Sequence, residues 1–168
     1  TTKNGRTWTV PVAVTLAGEN HGGQHPMIRN TLFDSNGKIV AQVANGSTEQ
    51  EMTVRNPRLW SPDAPNVYTL LTEIVIAGKT VDAVRTTTAF RTFRFDAKTG
   101  FWLNGKNMKL NGVCDHHDLG CLGAALDNDA LRRQLVKLKD MGVNAIRCSH
   151  NPPAPELLNM ADTMGFIV

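Results

Sequence analysis

No run of this 168-residue chain approaches the roughly 20 consecutive apolar residues that a bilayer-spanning helix requires. Thr1-Thr2-Lys3-Asn4-Gly5 also lacks the apolar core of a signal peptide. A membrane partner is therefore not expected, while the compartment stays open, because a chain that begins inside a longer protein has lost any leader. Cysteine is scarce as well: Cys114, Cys121 and Cys148 are odd in number, lie in the second half and show no Cys-x-x-Cys spacing, so a disulfide framework is not indicated. Nor is charge concentrated. The net charge is +3, and the densest basic group, Arg132, Arg133, Lys137 and Lys139, falls on a predicted helix and reads as a solvated face, which argues against nucleic acid as a partner. What is present is ordinary globular material, 41% hydrophobic and 20% charged, which excludes a largely disordered chain. The length allows one large domain or two small ones, and a change of pattern near Phe95 favours two.

From Thr7 to Arg94 the pattern is that of short strands. Trp8–Thr15 alternates apolar and polar residues. Ile28–Phe33 and Lys38–Val43 flank Asp34-Ser35-Asn36-Gly37, which predicts a hairpin, and Gln50–Val54, Tyr68–Ile76 and Thr80–Thr88 follow. Asn56–Pro65 carries three prolines and reads as an extended loop, with Trp60 expected to be buried against the strands or at the junction with the next domain. About seven strands in this length predict an immunoglobulin-like β-sandwich over residues 1–94.

After Asp96 the pattern changes. Phe101–Leu103 and Asn107–Leu110 predict another hairpin, its second arm running on into Gly112-Val113-Cys114. Asp127 or Asn128 can cap a helix in which Leu131, Leu135 and Leu138 recur at helical spacing and which Gly142 stops. Val143–Cys148 predicts a buried strand, Pro155–Met164 a second helix, and Gly165–Val168 the start of a third strand. This β-α-β-α-β order over residues 95–168 implies a parallel sheet and the beginning of a (β/α)8 TIM barrel. Three strands cannot close a barrel of eight, so a truncated chain or a proteolytic piece is expected.

Two polar clusters follow two of these strands: Asp115-His116-His117-Asp118, and Arg147-Cys148-Ser149-His150-Asn151. At the carboxyl ends of barrel strands they would converge on the face that carries active sites, with donors and acceptors suited to a polyol. Arg147 is equally readable as a structural ion-pair partner. Asp115 reads as a turn or surface residue and Cys148 as core. Ser149 could support the loop or contact a ligand. His116 and His117, being adjacent, should point opposite ways, so that at most one faces the site. Asp118 and His150 are the stronger candidates. The same spacing argues against a metal site, and His21-Gly22-Gly23-Gln24-His25 reads as a Gly-rich loop.

Gly112–Ala125 resembles the segment after the first barrel strand of glycoside hydrolase family 2, and Asn144–Pro152 the segment after the second. Leu59-Trp60-Ser61-Pro62 is similar to that family's sandwich signature, and Phe95-Asp96, Gly100-Phe101 and Leu103–Lys106 to its domain junction. The resemblance covers residues 50–168, with 1–49 fitting by position and strand pattern. It implies that His116 and His150 bind the non-reducing sugar and that Arg147 orients the catalytic carboxylates; Asp118, a candidate from its place after the strand, is expected to bind the sugar with the two histidines. It implies a retaining mechanism whose acid/base and nucleophile are glutamates on later strands, beyond Val168, so no catalytic residue is expected in this chain, and no cofactor. The substrate expected is a carbohydrate, a β-galactoside or related sugar. A β-glucuronidase, a β-mannosidase and a non-catalytic carbohydrate- or protein-binding module remain alternatives, and a homo-oligomeric intact enzyme is left open.

Overall fold

The computed structural model describes residues 2–17 and 25–168; His21 and the rest of 18–24 lie outside the described residues. Two compact units emerge, one formed by Thr1–Arg58 and Val67–Phe90, the other by Leu59–Asn66 and Arg91–Val168.

The first unit holds β1 (Thr2–Asn4), β2 (Thr7–Ala13), β3 (Met27–Phe33), β4 (Ile39–Asn45), β5 (Glu49–Arg55), β6 (Tyr68–Ile76) and β7 (Lys79–Thr88). They form sheets ordered β1-β2-β5 and β4-β3-β6-β7, an immunoglobulin-like sandwich. Period-two alternation gives β2 and β5 one buried face each: β2 buries Trp8, Val10 and Val12, while β5 buries Gln50, Met52 and Val54. Antiparallel pairing sets Trp8 opposite Val54 and Val10 opposite Met52, so these faces merge. Phe90 is fully buried and meets Trp8 and Tyr68 edge-on, with ring centroids 5.5 and 4.9 Å away. The Asp34–Gly37 turn forms as its residues predict, with Asp34 Oδ1 accepting from the Asn36 and Lys38 amides. β1 was not legible, since three exposed polar residues carry no alternation; it pairs with β2 all the same.

In the second unit, β8 (Phe93–Asp96), β9 (Gly100–Leu103) and β10 (Lys106–Asn107) make a small antiparallel sheet. Sequence pattern runs the second arm of this hairpin into the next strand, but β10 stops after two residues. The Asn144 side chain takes over there, donating to the Lys109 carbonyl (3.0 Å) and accepting from the Asn111 amide (2.8 Å). Then follow β11 (Gly112–Asp115), α1 (Asn128–Asp140), β12 (Ala145–Cys148) and α2 (Pro155–Met164). β11 and β12 are parallel, with Val113 opposite Ile146 and Cys114 opposite Arg147. The expected third strand is present as a single parallel bridge between Ala145 and Ile167. Asp127 caps α1 by accepting from the Ala130 amide at 2.8 Å. Leu131 and Leu135 of α1 and Leu157 and Ala161 of α2 pack with Val143, Ile146 and Phe166 into one core. This is the opening of a TIM barrel.

Leu59–Asn66 groups with this second unit, although sequence position places it within residues 1–94. Trp60 is buried here, its indole N–H donating to the Asp162 carbonyl at 2.7 Å. The Lys139 ammonium donates to the carbonyls of Pro62 (3.1 Å) and Gly165 (2.6 Å). Gly165 ends α2 at φ 80°, and a Cβ there would run into the Pro62 carbonyl, so close approach as well as backbone sign requires glycine.

Candidate functional site

β11 and β12 lie side by side and point the same way, so the segments that follow them emerge at one end of the sheet. A backbone bond from the Ser149 amide to the Asp115 carbonyl, 2.9 Å, holds these ends together. Alternation divides the side chains. Val113 packs toward the helices and Ile146 is buried among them, whereas Cys114 and Arg147 are exposed on the other face.

Arg147 organises that exposed face. Its Nη1 donates to Ser149 Oγ at 2.9 Å and approaches Cys114 Sγ at 3.8 Å, and its Nη2 lies 3.3 Å from His150 Nδ1. A guanidinium can only donate, so this contact makes Nδ1 the acceptor and leaves the His150 proton on Nε2, facing away from Arg147. The His150 ring is met edge-on by His116, centroid to centroid 6.2 Å. The Ser149 hydroxyl and then Arg147 hold the Cys114 thiol below its usual range. Burial raises Cys148 on the opposite face.

A cavity of about 290 Å³ opens beside this array, bounded by His116, His117, Asp118, Gln134 and Ser149 with apolar walls from the loop and helices. Arg147 and His150 are not among its lining residues, so His116 and Ser149 are the residues that belong to both the array and the cavity. Both histidines of the adjacent pair border it. That departs from the expected alternation because β11 ends at Asp115, and beyond it the two-residue period no longer applies. Asp118 is exposed, its Oδ1 a loose 3.5 Å from the Gly120 amide. The structure thus brings His116, Asp118, Arg147 and His150 to one end of two adjacent strands, in two neighbouring groups.

Asp115, read from sequence as a turn residue, is half-buried on the helix side and accepts from Gln134 Nε2 at 2.9 Å. Burial, then the charge of Asp118, raises its carboxyl above the usual range. Gln134 went unnoticed in the sequence, yet there was a signal: it shares a helical stripe with Leu131, Leu135 and Leu138. Among the described residues, no group of three or more His, Cys, Asp or Glu side chains is placed to hold a metal ion.

The sequence profile described as "Glycosyl hydrolases family 2" matches residues 1–91, and that described as "Glycosyl hydrolases family 2, TIM barrel domain" matches residues 96–168. The chain is 46% identical, over 94% of its length and 20% of the relative's, to "Beta-galactosidase BoGH2A" of Bacteroides ovatus. It is 31% identical to a "Beta-glucuronidase" of Bacteroides fragilis, over 80% of this chain and 19% of that one. Among solved structures, a "beta-glycosidase from Bacteroides vulgatus" superposes with a TM-score of 0.89 at 39% identity, covering 98% of this chain and 21% of that one. The chain spans about a fifth of the length of the curated relatives it matches.

Proposed function

The chain belongs to glycosyl hydrolase family 2, and from that premise we propose that it is part of a glycosidase that releases a terminal β-linked sugar, a β-galactoside first. The observation that supports this reading is the array at the ends of β11 and β12, where the His150 Nε2 proton, the His116 ring and the Asp118 carboxylate offer donors and acceptors to ring hydroxyls within reach of one another. His116, Asp118 and His150 bind the non-reducing sugar. Arg147, exposed on the face away from the helices, orients the catalytic carboxylates while its own position is held by Ser149.

Retaining cleavage needs two carboxyl groups about 5–5.5 Å apart on either side of the scissile bond. Asp115 and Asp118 come from one loop, and Asp115 is engaged by Gln134 on the helix side, so they are poor candidates for that pair. In this reading the acid/base and the nucleophile are glutamates on further strands of the same barrel. The similarity to a named β-glucuronidase supports a second reading, a β-glucuronide substrate on the same scaffold.

The test is a panel of nitrophenyl β-glycosides against the full-length protein that carries this chain. Preferential release from the galactoside is expected. Preference for the glucuronide replaces the first reading with the second, and hydrolysis of neither by a folded protein removes both.

A further inference from the structure

Asp115 stands where three connections meet. Its carboxylate accepts from Gln134 of α1 at 2.9 Å, its carbonyl accepts from the Ser149 amide at 2.9 Å, and the next residue in the chain is His116. From Ser149 the connection continues through its hydroxyl to Arg147 (2.9 Å) and from there to His150 (3.3 Å), whose ring meets His116. The path from α1 to the array therefore closes on itself, and the Asp115–Gln134 bond is its link to a rigid element. α1 is a suitable anchor, since Leu131 and Leu135, which flank Gln134 on one stripe, are buried in the core. An amide on such an apolar stripe loses water and needs a partner, which the Asp115 carboxylate supplies.

We propose that Asp115 and Gln134 form a positioning pair that fixes the turn after β11 and so holds His116 in register with His150 and Arg147. Neither touches the sugar. The inference rests on the proposed sugar site, and its consequence is that a half-buried polar residue of a helix governs how well the histidines meet their ligand. A second-row contact of this kind matters because misplacing a binding group by about 1 Å costs up to about a hundredfold in rate.

Two measurements test the pair. In the chain itself, labelled with [13C]histidine, the His116 and His150 ring resonances are assigned by His116→Ala and His150→Ala. Asp115→Ala and Gln134→Ala should each displace both, while Asp115→Asn, which keeps an acceptor for Gln134, should leave them near their original positions. In the full-length protein, the two alanine variants should lower kcat/KM for the preferred glycoside by about tenfold, and Asp115→Asn should recover it to within about twofold. Unchanged ring resonances in both alanine variants overturn the pair, and so does an Asp115→Asn spectrum displaced as far as that of Asp115→Ala, which would show that charge rather than the bond matters. A full-length protein that cleaves no glycoside sinks the proposed function instead, and the resonances still decide the pair. Gln134→Ala places the best helix former at a half-buried position of α1 and leaves Leu131 and Leu135 in place, so it keeps the test open if Asp115→Ala fails to fold.

Discussion

The two units treat polar groups in opposite ways. In the sandwich they are turned inward and closed: Asn30, fully buried, donates to Gln50 Oε1 at 3.0 Å and accepts from Thr72 at 2.6 Å, while Gln50 Nε2 donates to the Ile28 carbonyl at 3.0 Å. Every member has a partner, so the network ties β3, β5 and β6 together without a desolvation penalty left over. In the second unit the strands bury one face against α1 and α2, and Cys114, Arg147 and His150 stay exposed on or beside the other. Inward polar groups here specify a fold, whereas outward ones are left available for a ligand. That difference, more than composition, separates the sandwich half of this chain from the half that carries the candidate site.

The largest test concerns the second unit's core. Leu135 is fully buried between α1 and its neighbours, and Leu135→Ala should cost about 2–5 kcal/mol through lost burial and a residual cavity. Both α-helices lie in this unit, so the urea midpoint of the helical circular-dichroism signal reads it directly. Leu32→Ala, at a fully buried sandwich position, should cost a similar amount and be read by hydrogen exchange at the β3 and β6 amides. An unchanged helical midpoint in Leu135→Ala would mean that the second unit has no cooperative core, and the contrast drawn above would fail.

Next in size is the polar contrast itself. Gln50→Leu leaves the buried Asn30 side-chain amide without its acceptor, at a cost of about 1–3 kcal/mol. Arg147→Ala should change stability by less than about 1 kcal/mol, because Arg147 and His150 are exposed and, of this pair of hydrogen-bonding partners, Ser149 alone is buried. Equal losses in both would show that the Arg147 array is structural, and would return it to the ion-pair reading that its residue type allows.

The sandwich strands were legible because half-buried antiparallel strands alternate, and the helices because their caps and leucine spacing are local signals. Trp60 is buried as expected, but which unit receives it was left open between the strands and the junction, since that depends on a partner, Asp162, about a hundred residues away in the chain. The site was half legible. Asp118 and His150 stand out as candidates by following apolar strands, whereas Arg147, inside one, is equally readable as an ion-pair partner. The strand's end at Asp115, which lets His116 and His117 border one cavity, is a matter of backbone geometry. Asp115 looked bland for the same reason: its partner, Gln134, is nineteen residues on and on another element.

In the full-length protein, His150→Ala should lower kcat/KM by at least about tenfold, close to 1.4 kcal/mol of transition-state binding, with its thermal midpoint unchanged. His150 is exposed and its contact with Arg147 is long, so stability has little to lose. Unchanged kinetics would take His150 out of the proposed site and leave the second unit with no more exposed chemistry than the first.

The smallest effect distinguishes the units by sign. In the sandwich, the hydrogen bond from Arg29, then that from Thr80, lowers Glu73. Its contribution is therefore present above the unfolded value of about 4.3 and is lost as pH falls through the folded one. Asp115 runs the other way. Burial raises its carboxyl, so its favourable contribution is complete below the unfolded value of about 3.9 and is lost as pH rises through the folded one; at pH 7 the ionised group is a cost. Asp115→Asn removes that cost and keeps an acceptor for Gln134. The variant should be more stable than the parent at pH 7 by less than about 1 kcal/mol, since half-burial leaves much of the charge screened by water. The advantage should shrink as pH is lowered toward 4, while Glu73→Gln loses its disadvantage over the same range. Helical urea midpoints at several pH values measure the first, and hydrogen exchange at the β3 and β6 amides the second. An Asp115→Asn advantage that grows on acidification would reverse the sign assigned to burial, and Asp115 would then have to be held as a carboxylate by the fold, as Glu73 is.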